Sequence, residues 1–198
     1  MSHKVGVFAL ASGEDVAVRA PSLDADLERL VAFLSSLPAA ERNCLRYNVT
    51  EVGGCRIRLG QLDGRDHFRL VAEVSGTIVG DATLDREPYE WTRHVGQVRV
   101  VVTPGEHELE LTTVLFRELH AIAEDAHIEL LFAEVMPEQG HVISALEQCG
   151  FKREATLHGF ARDQHGAQHD LLVYTTDISH IWDRLADLLH DMDVRLPP

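Results

Sequence analysis

Residues 128–139 read IELLFAEVMPEQ, an apolar run followed by a short polar turn. The run from Ile128 to Val135 is apolar enough for a strand at the centre of a sheet. A short helix is expected from Val142 to Cys149, and Gly150 is a typical residue for ending it. This segment therefore predicts a strand, a turn and a helix in close succession.

A long amphipathic helix is expected immediately before that strand. Residues 111–126 place apolar side chains at helical spacing on one side. The preceding segment, Val95 to Thr103, is rich in valine and ends at Pro104-Gly105. A long helix between two apolar strands favours a parallel crossover, and the pattern therefore predicts a mixed sheet.

The flanking segments extend this sheet in both directions. Residues 68–74 and 77–84 predict one hairpin, and residues 152–162 and 170–175 predict a second. Nearer the start, residues 16–20 alternate like a strand and residues 24–37 have helical periodicity. A second helix is expected over residues 39–47, and Gly53, Gly54 and Gly60 are expected to interrupt the segment after it. The predicted class is α/β (α+β), with a mixed, mostly antiparallel sheet flanked by helices.

A last amphipathic helix is predicted over residues 178–192. It divides the chain into a domain of residues 1–176 and a C-terminal segment of residues 177–198. The apolar stripe leaves two interpretations open. The helix packs on its own domain, or it forms a homodimer interface with Trp182 as an anchor.

Composition limits the classes of function. The chain has 198 residues, a length that suits one domain, and a formal net charge of −14. That charge argues against nucleic acid and against anionic membranes as partners. No apolar run is long enough to span a bilayer, and the first ten residues lack the features of a signal peptide. We therefore expect a cytoplasmic location.

The cysteines and histidines do not predict a metal site. The three cysteines, Cys44, Cys55 and Cys149, have no zinc-ligand spacing and are interpreted as free thiols. His165 and His169 are four residues apart, but across a predicted hairpin turn, and solvated turn residues are the favoured interpretation.

Two motifs resemble a known family. The sequence EVMPEQ at 134–139, followed after a short helix by CGFKRE at 149–154, is similar to the GNAT acetyltransferases, which typically read EVLPEN and LGFKEE there. The resemblance covers residues 14–176 and is stronger over 66–176. Residues 16–19, 34–37 and 45–47 resemble the Pat-like branch, which acetylates protein lysines.

The resemblance implies where acetyl-CoA binds. The family's pyrophosphate loop, of pattern Q/R-x-x-G-x-G/A, corresponds to HELELT at 107–112. In the family, backbone N–H groups and a helix N-terminus receive the phosphates. Here Glu110 and Thr112 occupy the small-residue positions and Glu108 adds negative charge, so acetyl-CoA binding is expected to be weak or absent. The implied cofactor-binding residues are Val100, Val102, His107, Glu108, Leu109, Glu110, Leu111 and Thr112.

The family's catalytic positions are also changed. The general base of the Pat-like branch corresponds to Gln97, and a neutral amide cannot accept a proton near neutral pH. A tyrosine general acid of other branches would correspond to Leu146. Glu134 and His141 are the remaining candidates for a base. Cys149 has no histidine partner suggested by the sequence and is interpreted as a packing residue.

Two functions remain open at this stage. One is an N-acetyltransferase that transfers acetyl from acetyl-CoA to the primary amine of a small molecule or a protein lysine. The other is a catalytically inactive GNAT-fold domain that has lost acetyl-CoA binding and uses its cleft or its last helix for binding or regulation.

Overall fold

The sheet has eight strands. The computed structural model describes residues 6–43, 45, 49–105, 107–163 and 165–180. The strands are β1 (Gly6–Ala9), β2 (Asp15–Arg19), β3 (His67–Val74), β4 (Thr77–Arg86), β5 (Val95–Val102), β6 (Leu130–Val135), β7 (Lys152–Arg162) and β8 (Gln168–Asp177). Their spatial order is β1-β2-β3-β4-β5-β6-β8-β7.

Only the pairing of β5 with β6 is parallel among the described strands, and the other neighbours are antiparallel. The mixed, mostly antiparallel sheet predicted from the sequence is therefore confirmed. The parallel pairing is also short, because it joins residues 95–97 to residues 130–132 and then ends. The two strands continue past this point without pairing to each other, so they splay apart from residue 98 of β5 onwards.

Five helices cover the sheet in the part of the chain that the structure describes. They are α1 (Leu23–Ser36), α2 (Ala39–Asn43), α3 (Val52–Gly60), α4 (Glu108–Asp125) and α5 (Gly140–Gln148). The apolar stripe of α4 packs on one face of the sheet, in a core that includes Leu115, Leu119, Val98 and Val100. Helices α1 and α3 cover part of the other face, in a second core that includes Leu30, Leu34 and Val71.

The glycines at 53, 54 and 60 do not interrupt the chain as predicted, because residues 52–60 form α3. Cys55 and Leu59 are four residues apart, and both are buried in the core shared with α1. This burial offsets the low helix propensity of glycine, and Gly53 lies in the first turn, where backbone N–H groups have no helical acceptor anyway.

Other boundaries also differ from the sequence prediction. Strand β1 was not predicted, and it pairs with β2 at the sheet edge. Helix α2 ends at Asn43, within the range 39–47 predicted for it. Helix α4 begins at Glu108, three residues earlier than predicted. Residues 178–180 form a 3-10 turn, and the rest of the predicted last helix lies outside the described residues, as does Trp182.

A buried ion-pair network joins α1 to the sheet. The carboxylate of Asp26 accepts hydrogen bonds from Arg19 and Arg29, each at 2.7 Å, and from the backbone N–H of Ser22 at 2.8 Å. Both arginines also contact Glu73 on β3. The hydrogen bond from Arg19 lowers the pKa of Asp26 from 3.8 to about 2, against the opposing effect of burial.

This network predicts a pH-dependent contribution to stability. Because the pKa of Asp26 is lower in the folded protein, the contribution is complete above pH 3.8 and is lost as the pH falls towards 2. We expect Asp26→Asn to lower the free energy of unfolding by about 2 kcal/mol at pH 7, and by much less near pH 2. Urea unfolding of the natural protein and of Asp26→Asn between pH 7 and pH 2 measures this difference in the free energy of unfolding. Asp24→Asn, at an exposed position of the same helix, is the control and should change the free energy of unfolding at pH 7 by less than about 1 kcal/mol.

The sheet also predicts a packing effect at Gly96. A Cβ atom added there would lie 2.6 Å from Leu84 Cδ1 and 3.1 Å from Ile128 Cγ2, whereas one added at Gly53 would meet nothing within 4 Å. We expect Gly96→Ala to destabilise the protein by roughly 1–3 kcal/mol. Gly53→Ala should be neutral or stabilising by up to about 1 kcal/mol. Thermal unfolding of both variants distinguishes overpacking from a general effect of removing glycine, and equal effects would contradict this account.

Candidate functional site

A carboxylate and an amide meet where β5 and β6 part. Gln97 is the last residue of β5 that pairs with β6, and its partner there is Phe132. Glu134 is two residues further along β6, so its side chain is on the same face of the sheet as that of Phe132. The Gln97 side-chain N–H donates a hydrogen bond of 2.8 Å to Glu134 Oε2. Gln97, at the position predicted for the general base, is therefore in direct contact with Glu134, which is one of the two alternative candidates.

A cavity of about 260 Å³ opens in front of this pair. It is bounded by β5, β6, the segment after β6, the β7–β8 hairpin and the two residues Asn43 and Leu45. Among the described residues, its lining consists of Asn43, Leu45, Gln97, Arg99, Glu134, Met136, Gln139, Phe160, Ala161, Arg162 and Leu171. The cavity thus combines a carboxylate, two arginines and several apolar side chains.

A bulge in β7 brings the hairpin side chains to this cavity. Leu157 pairs with Leu171 and Ala161 pairs with His169, so four residue steps on β7 oppose two on β8. The carboxylate of Asp170 accepts a hydrogen bond of 2.8 Å from the backbone N–H of Gly159, which has a φ of 59°. Such bulges redirect the side chains that come after them. Phe160 and Arg162 consequently line the cavity.

The residues predicted for pyrophosphate binding lie in and before the first turns of α4. His107 precedes the helix, and its Nδ1 is 3.3 Å from Glu110 Oε2. The Glu110 carboxylate also lies 3.4 Å from the backbone nitrogen of Ala11, towards the β1 end of the molecule. The Glu108 carboxylate lies on another side, 3.1 Å from His141 Nε2. The carboxylates of Glu108 and Glu110 therefore place their negative charges in different regions of the site.

A second cavity, of about 230 Å³, lies between the start of α4 and α5. Its lining consists of Gly105, Glu108, Leu109, Thr112, His141, Ser144 and Gln148. The hydroxyl of Thr112 donates a hydrogen bond of 2.7 Å to the carbonyl oxygen of Glu108, and the residue is buried. Thr112 therefore presents little bulk to this cavity, whereas Glu108 contributes a negative charge. None of the described residues that line it is lysine or arginine.

Val100 and Val102 lie on the part of β5 that has left β6. Their side chains are buried in the core, and their main chains pair with Ala82 and Gly80 of β4. On the opposite edge no described strand pairs with residues 98–102, so that edge faces the opening between β5 and β6. A narrow gap there is lined by both strands together with Val142 and Leu146 of α5. The resemblance implies that the main-chain groups near Val100 and Val102 pair with the pantetheine arm of acetyl-CoA.

The other candidate residues do not line the larger cavity. His141 lies between Glu108 and Glu41, at the α4 end, with Nε2 3.7 Å from Glu41 Oε2. Leu146 is fully buried in the core. Burial raises the pKa of the Cys149 thiol to about 12, which agrees with a packing role and not with a nucleophile.

The turn histidines contact carboxylates. His169 lies 3.0 Å from Glu138 and 3.3 Å from Asp163, and these contacts raise its pKa. Among the residues with described positions, no group of three or more histidine, cysteine, aspartate or glutamate side chains is arranged to hold a metal ion. Within the same part of the chain, no helix combines the length and the apolar character needed to cross a bilayer.

Arg99, Phe160 and Arg162 are among the cavity residues that were not singled out from the sequence. Arg99 is two positions after Gln97 on β5, and strand alternation alone could have placed both on one face. Phe160 and Arg162 gave no comparable signal, because their positions depend on the extra residues in β7. The sequence pattern does not reveal a bulge of this kind.

Comparison with solved structures identifies the fold. A domain described as the GNAT domain of S. lividans PAT superposes with a TM-score of 0.69 and 20% identity, covering 87% of this chain and 96% of that one. Salmonella typhimurium yncA, solved with its cofactor acetyl-CoA, gives 0.71 and 16%, with coverage of 82% and 94%. Mycobacterium smegmatis RimJ in complex with CoA-disulfide gives 0.70 and 17%, with coverage of 94% and 93%.

The sequence comparisons add no closer relative, since no family model and no curated protein matches this chain. The structural matches are of low identity but extend over most of both chains. The eight-stranded, mostly antiparallel sheet flanked by helices matches these neighbours. The chain has the fold of the GNAT acetyltransferases.

Proposed function

We propose that this protein is an N-acetyltransferase that transfers acetyl from acetyl-CoA to a primary amine, with Glu134 as the general base. The observation that carries the proposal is the hydrogen bond of 2.8 Å from Gln97 to Glu134 at the opening between β5 and β6. It holds a carboxylate at the wall of the larger cavity, although the usual base position is an amide. A carboxylate from the neighbouring strand thus replaces the missing one.

Glu134 has the chemistry that amine activation requires. An amine is protonated near neutral pH and must lose a proton before its nitrogen can attack a thioester carbonyl. In the proposed reaction Glu134 accepts this proton and passes it to solvent. A C–N bond then forms and the C–S bond breaks, and the second proton lost from nitrogen ends on the departing sulfur. Gln97 orients the carboxylate through its N–H and does not itself exchange a proton.

The cofactor end of the site contains features for and against acetyl-CoA. The open main-chain edge of residues 98–102 can pair with an amide-bearing arm, and the N-terminus of α4 favours a phosphate. Glu108 opposes phosphate binding because its carboxylate lines the cavity there. A nearby like charge in a partly buried site costs on the order of 1 kcal/mol or more. We therefore expect acetyl-CoA to bind weakly.

The Glu108 carboxylate in the lining of the smaller cavity also favours a second candidate function. In this alternative the protein is a catalytically inactive GNAT-fold domain that no longer binds acetyl-CoA and serves in binding or regulation. Calorimetric titration of the natural protein with acetyl-CoA and with CoA distinguishes the two functions. Absence of binding at millimolar ligand would support the inactive domain, and measurable binding would support the enzyme.

The assignment of Glu134 predicts a loss of turnover without a loss of donor binding. We expect Glu134→Gln to lower kcat by roughly 10²–10⁴-fold, because that is the contribution of a positioned general base. Release of CoA in the presence of an amine acceptor measures the rate. The affinity for acetyl-CoA, measured by calorimetry, should remain within about twofold of that of the natural protein.

Glu154→Gln is the matched control for this prediction. Glu154 is an exposed glutamate on β7 that accepts a hydrogen bond from Thr175 and does not line the cavity. Its replacement should leave the rate unchanged. Full activity of Glu134→Gln would show that another group takes the proton, and His141→Gln would then be the next variant to measure.

The different directions of Glu108 and Glu110 predict different effects on the donor. We expect Glu108→Gln to tighten acetyl-CoA binding by roughly fivefold, because it removes a charge from the cavity wall, a change of about 1 kcal/mol. Glu110→Gln should change the affinity by less than about twofold, because that carboxylate lies towards Ala11. Calorimetry checks both variants, and equal effects would contradict the separation of the two glutamates.

A further inference from the structure

We infer, building on the proposed acetyltransferase function, that the acceptor is a free α-amino acid with an apolar side chain and that Arg99 and Arg162 bind its carboxylate. Three kinds of side chain line the larger cavity. Glu134 suits an ammonium group, the two arginines suit a carboxylate, and Leu45, Met136, Phe160 and Leu171 suit an apolar side chain. An apolar amino acid carries these three groups on one carbon atom.

The described lining of the cavity is positively charged, whereas the protein as a whole is negatively charged. The chain as a whole carries a formal charge of −14, yet the charged residues in the described part of this lining are two arginines and one glutamate. The nearby carboxylates of Glu138 and Asp163 both contact His169. A locally positive wall in an acidic protein favours an acceptor with an anionic group, and the planar guanidinium matches a carboxylate with two parallel hydrogen bonds.

Arg162 is accessible to such a ligand. It is exposed on β7, and none of the described residues places a carboxylate within ion-pair distance of it. Other arginines of the sheet and of α3 are engaged, since Arg69 binds Asp81 and Arg58 binds Asp85. An incoming carboxylate at Arg162 would therefore not have to displace an internal partner.

The apolar part of the cavity is exposed at its entrance. The Phe160 side chain lines the cavity, and 67% of the residue's surface is exposed. Covering it with an apolar ligand group would be favourable. The cavity, at about 260 Å³, is also smaller than the pockets of ~300–1,000 Å³ that enclose drug-sized ligands. A single amino acid agrees with this size.

The inference distinguishes between the two acceptor classes that the sequence left open. The ε-amine of a lysine within a protein has no carboxylate next to it, and such an acceptor would leave Arg162 without an anionic partner among the described residues. A free amino acid uses both charges of the cavity. The carboxylate therefore provides the discrimination, because an amine of the same shape without it loses those hydrogen bonds.

Matched pairs of ligands test this directly. Phenylalanine and phenethylamine differ only in the carboxylate, as do tryptophan and tryptamine. Calorimetric titration of the full chain, with CoA present so that no acetyl transfer takes place, should show the amino acid of each pair binding at least roughly tenfold more tightly. Equal affinity within both pairs, or no binding of either amino acid, would overturn the inference.

Arg162→Gln identifies the side chain responsible. We expect this variant to lose most of the preference for the amino acid while its affinity for the descarboxy amine is unchanged. Arg153→Gln is the matched control, because Arg153 is also exposed on β7 but does not line the cavity. A preference that survives Arg162→Gln, or that Arg153→Gln removes equally, would contradict the assignment.

Turnover with acetyl-CoA separates this inference from the proposed function. If the amino acids bind with the predicted preference but no amine is acetylated, the proposed function fails and the carboxylate site remains. If neutral amines are acetylated as efficiently as amino acids, the proposed function holds and the amino-acid inference is wrong. Faster acetylation of the amino acids, with the advantage lost in Arg162→Gln through a higher KM, would support both.

Discussion

The parting of β5 and β6 after three residue pairs is the constraint on which the rest of this structure depends. Two neighbouring strands that separate leave main-chain N–H and C=O groups on their facing edges, and these need other partners. Both the open edge of residues 98–102 and the position of Glu134 result from this one departure from regular pairing.

The packing before and after this point stabilises the separation of β5 from β6. Gly96 lies just before it, where Leu84 and Ile128 leave no room for a side chain, so the two strands can approach closely there. Beyond it, Val98 and Val100 pack against α4, while Ala133 and Val135 belong to the same core. Each strand is thus held by its own contacts after they separate, and the opening does not require a ligand to keep it.

The sequence allowed most of the fold to be predicted, because its main elements are long and periodic. The apolar stripe of α4, the hairpin around Ser75-Gly76 and the motifs at 134–139 and 149–154 all led to elements that the structure contains. The predictions failed where local propensity and tertiary packing conflict, as in α3, whose glycines are outweighed by the burial of Cys55 and Leu59. Strand β1 is short and gains its stability from pairing with β2, which sequence periodicity does not reveal.

The candidate site was only partly predictable. Gln97 and Glu134 could be named from their positions in the motifs, but their contact depends on strand register, which a single sequence does not determine. The opposite directions of Glu108 and Glu110 depend on side-chain partners distant in sequence, including Ala11 and His141. Arg162 could not be found at all without the bulge in β7. Residues brought together by irregular geometry are therefore those that pattern reasoning misses.

The burial of the described cysteines has a consequence for thiol chemistry. Cys55 and Cys149 are both fully buried, and burial raises the pKa of each thiol. Thiol–disulfide exchange requires an accessible thiolate, so neither residue can readily form a mixed disulfide with CoA or with its oxidised form. In the described part of the chain, both thiols should therefore stay unmodified when the protein meets a small disulfide under oxidising conditions.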